Sequence, residues 1–379
     1  MKYSTVLHAI ALLFLTANAA AVDTPVPSPP VIGAKSYMLI DSNTGYEIAA
    51  LNPDEKLAPA SLTKLMTAYA LFKALDEQQI RLDDMVTVSE KAWRTPGSRM
   101  FIEVGTRVSV KDLLLGMIVQ SGNDASVALA EYVAGTEAVF AEVMNRYAAE
   151  LGMNSSHFLN ATGLPDDDHY STARDMATLS RAIINEFPEY YRWYSVREFT
   201  YNDITQPNRN SLLWRDDSVD GMKTGHTDDA GYCLVSSAQR DDMRIVSVVL
   251  GTGSAKSRID GSQALLNYGF RFFETRLLYH AGEEVASARI WKAQKEYTKL
   301  GLPDDLYVTV PRGSYDDLES VLNMPSILVA PVAEGQPLAE LQVSLNGDEL
   351  LSEPLRALSA NPAGSFWQRT VDSMRLWFE

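Results

Sequence analysis

Apolar positions change their spacing along the chain, and each change marks an element or a boundary. Residues 36–41 and 46–50 read as two strands joined by a turn at Ser42-Asn43-Thr44-Gly45, so a hairpin comes first. Leu62, Leu65, Met66, Ala68, Ala70 and Leu71 then follow a helical period to about Leu75. Two further apolar helices, 111–119 and 125–133, flank a polar break at Gln120-Ser121-Gly122-Asn123-Asp124. Amphipathic helices are predicted over 140–151 and 176–184, with a long irregular stretch, 155–175, between them. Residues 231–237 and 244–250 are uniformly apolar enough for buried strands, and 219–227 enters the same sheet. Beyond about Thr275 only short alternating runs remain, such as 306–310 and 338–345, cut by Pro-Arg-Gly and Asn-Gly-Asp turns. The expected organisation is an N-terminal leader (1–21), a mixed α/β domain (30–275), a small all-β domain (276–360) and a C-terminal amphipathic helix (361–379).

Composition narrows this picture. A chain of 379 residues exceeds one ordinary core, and 46% hydrophobic residues supply the material for two. The net charge of −16 argues against a nucleic-acid partner. Cys233 is the sole cysteine, which excludes an intramolecular disulfide. Met1-Lys2, the apolar run 6–15 and the small residues 16–21 form a secretory signal, cut after Ala19 or Ala21. The run is too short to be a transmembrane anchor. At the other end, Phe366, Trp367, Val371, Met374, Trp377 and Phe378 share an arc of about 140° on a helical wheel. A helix over 365–379 is roughly 22 Å long, too short to span a bilayer but suited to its interface. Pro362 and Gly364 are expected to detach it from the β domain; docking on the protein's own core is the alternative.

The candidate chemistry begins at Ser61-Leu62-Thr63-Lys64. Residues three apart on a helix share a face, so this spacing sets an amine beside a hydroxyl. Burial by Leu62, Leu65 and Met66 favours the neutral amine, which can accept the serine proton. Taken alone, the motif is more often a capping serine with a solvated lysine. Ser121 and Asn123 lie where a tight break presents side chains to a cleft, or merely turns the chain between helices. Lys223-Thr224-Gly225-His226 lies on a strand whose edge can pair with a peptide, the lysine and threonine holding a carboxylate. His157, His169 and Asp166-Asp167-Asp168 cluster in the irregular stretch, but their spacing matches no metal-ligand pattern.

Ser61-x-x-Lys64, Ser121-Gly-Asn123 and Lys223-Thr-Gly225 occur once each and in this order. That triple characterises penicillin-binding proteins and class A β-lactamases. Together with Asp220-Gly-Met-Lys-Thr-Gly-His-Thr227 and Tyr170-Ser-Thr-Ala-Arg-Asp175, it makes the chain resemble the low-molecular-mass penicillin-binding proteins that are D-alanyl-D-alanine carboxypeptidases. The resemblance covers nearly the whole chain. It implies an α/β, β-lactamase/transpeptidase-like catalytic domain, a small all-β domain and a membrane-anchoring tail. It implies further that Ser61 is the nucleophile, Lys64 its proton acceptor, with help from the charge of Lys223, and Ser121 a proton relay. Asn123 would orient the substrate, while Lys223 and Thr224 would face its carboxylate. Gly225 lies in the same motif, and the backbone N–H groups of Ser61 and His226 would form the oxyanion hole. Arg258 and Arg209 are further substrate-side candidates, with a surface ion pair as the alternative for each. The implied partners are the peptidoglycan stem pentapeptide, β-lactams as covalent inhibitors, and the outer leaflet of the inner membrane through 365–379. No cofactor or metal is implied. A class A β-lactamase would need a Glu-x-x-x-Asn element, and His157-Phe158-Leu159-Asn160 offers no such glutamate. Endopeptidase or transpeptidase chemistry, and a mainly structural role in cell shape or peptidoglycan binding, stay open at this level.

Overall fold

A computed structural model describes residues 26–377. The leader read at 1–21 and the terminal Phe378 and Glu379 lie outside the described residues. The first domain is built on a five-stranded sheet. Ser36–Asp41 pairs with Glu47–Leu51 on one side and with Met243–Thr252 on the other. Gly231–Arg240 follows, and Val219–Thr227 closes the sheet as an edge strand. Alternation decides which face each side chain buries. Met38, Ile40, Val235, Val246 and Val248 join a helical subdomain on one side. Tyr37, Leu39, Leu234, Ile245 and Val249 pack on the other face against Ile259, Leu265 and Leu266. These last three lie on the helix Ala255–Phe272. Its run of serine, glycine and glutamine masks the apolar stripe, so hydrophobic period does not announce this helix.

The helical subdomain centres on Thr63–Asp76, whose side chains are almost all buried. Around it stand Val110–Val119, Asn123–Ala134, Glu137–Glu150 and Ala173–Glu186. The expected helix at Ser61 is corrected in one respect: Ala60–Leu62 is a 3-10 turn, and the α-helix starts only at Thr63. Ala60 takes a positive φ of 48°, which swings the chain sharply into the helix.

The second domain holds a six-stranded sheet and is joined to the first by a ribbon of Phe273–Tyr279 with Leu306–Pro311. A buried polar knot ties the ribbon to the first sheet. Asp41 accepts from Thr275 Oγ1 at 2.8 Å, and Thr309 Oγ1 lies 2.9 Å from Thr275 Oγ1 and 2.7 Å from Thr44 Oγ1.

The tail helix runs over Phe366–Arg375 and opens with a capping box of Ser365 and Gln368. The expectation that Pro362 and Gly364 detach it is overturned. Gln294 N donates to Pro362 O, Gly364 N donates to Lys292 O, and Asp372 accepts from Lys292 N at 2.7 Å. The backbone around Pro362 is therefore stitched to the turn at Lys292, and the helix stands on the second domain. Its apolar residues nonetheless face outward, with Phe366 69%, Trp367 74%, Met374 61% and Trp377 91% exposed. Among the described residues no helix is long and apolar enough to cross a membrane.

Candidate active site

The sharp turn at Ala60 leaves Ser61 half-buried at the end of a cleft, with Lys64 one turn behind it and 1% exposed. Lys64 Nζ donates to Ser61 Oγ at 3.0 Å, to Asn123 Oδ1 at 2.7 Å and to the Thr162 carbonyl at 2.6 Å. Three acceptors thus match three ammonium protons. Burial pushes the lysine down to about 7; the Asp124 carboxylate opposes this, Arg209 adds to it, and Glu137 opposes it. Arg209 is a cation beside the lysine that the sequence-based account did not place in this role. Lys223 is itself pushed well down, first by burial and then by the neighbouring Lys64, Arg209 and Arg258.

The polar break between helices has become two buried side chains. Ser121 takes a positive φ of 66°, and its Oγ is buried without a hydrogen-bond partner among the described residues. Such a hydroxyl carries a desolvation cost that an incoming donor or acceptor relieves. Asn123 is committed at both ends of its amide, since Nδ2 donates to Pro96 O at 2.6 Å. It therefore supports Lys64 directly.

The edge strand Val219–Thr227 forms the opposite wall. A Cβ at Gly225 would come within 2.9 Å of Pro59 O and 3.3 Å of Ala60 Cβ, so glycine lets this strand lie against the Ser61 turn. Lys223 and Thr224 are buried there, at 2% and 4% exposure. His226 is exposed and stacks on Tyr232, with centroids 3.9 Å apart and planes 9° apart. Arg209 donates to the Gln120 carbonyl at 3.2 Å, and Arg258 to the Gly225 carbonyl at 3.0 Å. Both arginines thus brace the site's backbone, and Arg258 Nε is buried without a hydrogen-bond partner among the described residues.

The loop between the helices Glu137–Glu150 and Ala173–Glu186 contributes more than the sequence suggested. Gly163, at φ +82°, presses on the Ser61 turn so closely that a Cβ would sit 1.8 Å from Ala60 O. His169 accepts from Leu159 N through Nδ1, so Nε2 carries the proton and donates to Thr63 Oγ1 at 2.7 Å. Burial holds this imidazole down at about 4, hence neutral. His157 Nδ1 lies 2.7 Å from the Asp168 carbonyl. Each histidine is engaged with its own loop or with the nucleophile helix. Thr162, Gly163, Asp124 and His169 carry no motif; only the glycine in an irregular stretch hinted at a tight approach.

A helical subdomain packed on an antiparallel sheet, with Ser-x-x-Lys, Ser-x-Asn and Lys-Thr-Gly converging between them, defines a serine enzyme of the penicillin-recognising fold. Residues 23–254 match the family described as D-alanyl-D-alanine carboxypeptidase, and residues 273–362 match the C-terminal domain of penicillin-binding protein 5. The chain belongs to the D-alanyl-D-alanine carboxypeptidase family. The D-alanyl-D-alanine carboxypeptidase DacA of Escherichia coli is 40% identical to it over 390 aligned positions, 100% of this chain and 96% of that protein. DacC of the same organism is 42% identical, covering 100% and 97%. The crystal structure of penicillin-binding protein 5 from Haemophilus influenzae superposes with a TM-score of 0.84 at 43% identity, covering 89% of this chain and 99% of that one.

Proposed function

We propose that this protein, a D-alanyl-D-alanine carboxypeptidase by family, removes the terminal D-alanine of peptidoglycan stem pentapeptides through an acyl-enzyme on Ser61. The observation that carries this reading is Lys64 Nζ, buried and 3.0 Å from Ser61 Oγ. With its pKa near 7, a large fraction of the lysine is neutral at neutral pH. Ser61 Oγ attacks the carbonyl carbon of the penultimate D-alanine as its proton passes to Lys64. The carbonyl oxygen becomes an oxyanion, held by the backbone N–H groups of Ser61 and His226. Collapse breaks the C–N bond, and the proton reaches the leaving amine through Ser121. Water then attacks the ester as Lys64 takes its proton; the C–Oγ bond breaks, Lys64 returns the proton to Ser61 Oγ, and the shortened peptide leaves as the acid.

Lys223 and Thr224 hold the substrate's terminal carboxylate, and Arg209 and Arg258 add positive potential on that side. The edge strand pairs with the extended peptide backbone. A β-lactam enters the same way, but its leaving group stays tethered after the ring opens, so the acyl-enzyme persists. The apolar face of the tail helix lies in the outer leaflet of the inner membrane, placing the exported enzyme on its periplasmic side. The bonds from Lys292 to Gly364 and Asp372 support a fixed stance on that surface.

The test is intact-mass analysis after benzylpenicillin, paired with an assay of D-alanine released from a pentapeptide. A stable adduct lost in Ser61→Ala, with D-alanine release lost in parallel, is expected. An adduct without D-alanine release would indicate a transpeptidase or a structural protein. Rapid drug turnover without an adduct would indicate a β-lactamase.

A further inference from the structure

The neutral amine of Lys64 has one lone pair and two N–H bonds, and the direction of the lone pair is set by where those two protons are held. Asn123 Oδ1 and the Thr162 carbonyl are the two acceptors besides Ser61. The Thr162 carbonyl belongs to a loop that Thr67 and Glu137 hold at Ala161, by bonds of 2.8 and 3.1 Å, and that Asn160 alone shapes from Thr162 onward. Asn160 Oδ1 accepts from Gly163 N at 2.7 Å, Thr162 Oγ1 at 2.9 Å and Thr162 N at 3.1 Å. Its Nδ2 donates to the Leu164 carbonyl at 3.1 Å. One amide therefore gathers three consecutive residues into a turn. Gly163, at the apex, presses that turn on Ala60 next to the nucleophile.

We infer that Asn160 is a positioning residue for proton transfer: it seats the Thr162 carbonyl on Lys64 Nζ and so aims the lysine lone pair at Ser61 Oγ. The inference rests on the reading of Lys64 as the base. Asn160 reaches Lys64 only through the loop. With alanine at 160, the three donors lose their common acceptor, and the Thr162 carbonyl is free to drift from Nζ. Misplacement of a reacting group by about 1 Å costs roughly 100-fold in rate. An acceptor removed from an ammonium also disfavours its charged form, which lowers its pKa. Asn160→Asp keeps the shared acceptor but adds a negative charge on the loop beside the lysine, which raises it.

The experiment is the pH profile of the second-order rate constant for benzylpenicillin acylation in wild type, Lys64→Arg, Asn160→Ala and Asn160→Asp, with thermal melts of each. Expected for Asn160→Ala is a plateau about 10- to 100-fold lower, with the acidic limb moved to lower pH. Asn160→Asp should recover most of the plateau with its limb moved to higher pH. A folded Asn160→Ala with the wild-type plateau and limb overturns the inference. So does a lower plateau with an unmoved limb in both variants, which marks a merely structural role. If Asn160→Ala does not fold, Asn160→Asp decides by its limb alone. Failure of the underlying reading has a separate signature: Lys64→Arg would then acylate with the wild-type limb intact.

Discussion

The cleft and the tail helix invert the usual distribution of side chains in opposite ways. In the cleft, two lysines, a serine and an asparagine are nearly sealed from water, while in the tail two tryptophans, a phenylalanine and a methionine stand in it. Buried ammonium groups carry a desolvation cost, and exposed aromatics forgo a gain of similar kind. Each region is thus incomplete alone. The cleft is matched to a substrate that brings a carboxylate, and the tail to a surface that takes up apolar side chains. The two differ in how the mismatch is held. The tail's exposed face is a matter of local helical period. The cleft's buried cations are held by contacts from four separate stretches of chain, around residues 60, 122, 162 and 224.

The largest effect that would test this contrast falls on the tail. Trp367→Ser with Trp377→Ser should weaken binding to vesicles by about 3 kcal/mol or more, at about 1.5–3 kcal/mol per large side chain withdrawn from an apolar medium. Acylation by benzylpenicillin should not change. Undiminished sedimentation with vesicles would mean that the anchoring face lies elsewhere.

Next is Gly163→Ala. Its Cβ cannot fit 1.8 Å from Ala60 O, and a positive φ disfavours alanine as well. The turn at Ala60 and Ser61 must shift, and acylation should fall roughly 100-fold while vesicle binding stays the same. Stopped-flow acylation measures the loss, and an unimpaired variant would show that the loop does not set the site.

The pH dependence is smaller but diagnostic. Lys64 must be neutral to accept a proton, so acylation should fall about tenfold per pH unit below pH 7 and level off above it. Stability carries a linked signature. The folded lysine is depressed from 10.5 to about 7, so between those values the unfolded chain binds more protons. Stability should therefore rise with pH across that window, and Lys64→Met should reduce the slope, the buried Lys223 supplying the remainder. A limb that persists in Ser121→Ala but is lost in Lys64→Arg would assign it to Lys64.

The smallest effect is expected at the domain junction. Thr309→Val removes the hydroxyl between Thr44 and Thr275 and should cost about 1 kcal/mol in denaturant unfolding, with acylation unchanged. A change in acylation would show that the junction communicates with the cleft.

Much of this protein can be read from local pattern. The first hairpin, the helix behind Ser61, the paired buried strands and the tail's two faces follow from periodicity, because each element buries one face and repeats at its own pitch. The order Ser61, Lys64, Ser121, Asn123, Lys223, Thr224 was enough to identify the family, since a reaction fixes residue types and spacing within each short element. The tertiary structure alone decided how these pieces meet. No periodicity reports that Gly163 presses on Ala60, that Asn160 gathers Thr162 beneath Lys64, or that Arg209 adds to the depression of that lysine. Those facts depend on packing between segments roughly 100 to 150 residues apart. The tail shows the same division: its amphipathic period was legible, whereas its stance was not. Backbone bonds from Lys292 seat it on the second domain, and backbone groups carry no sequence signal.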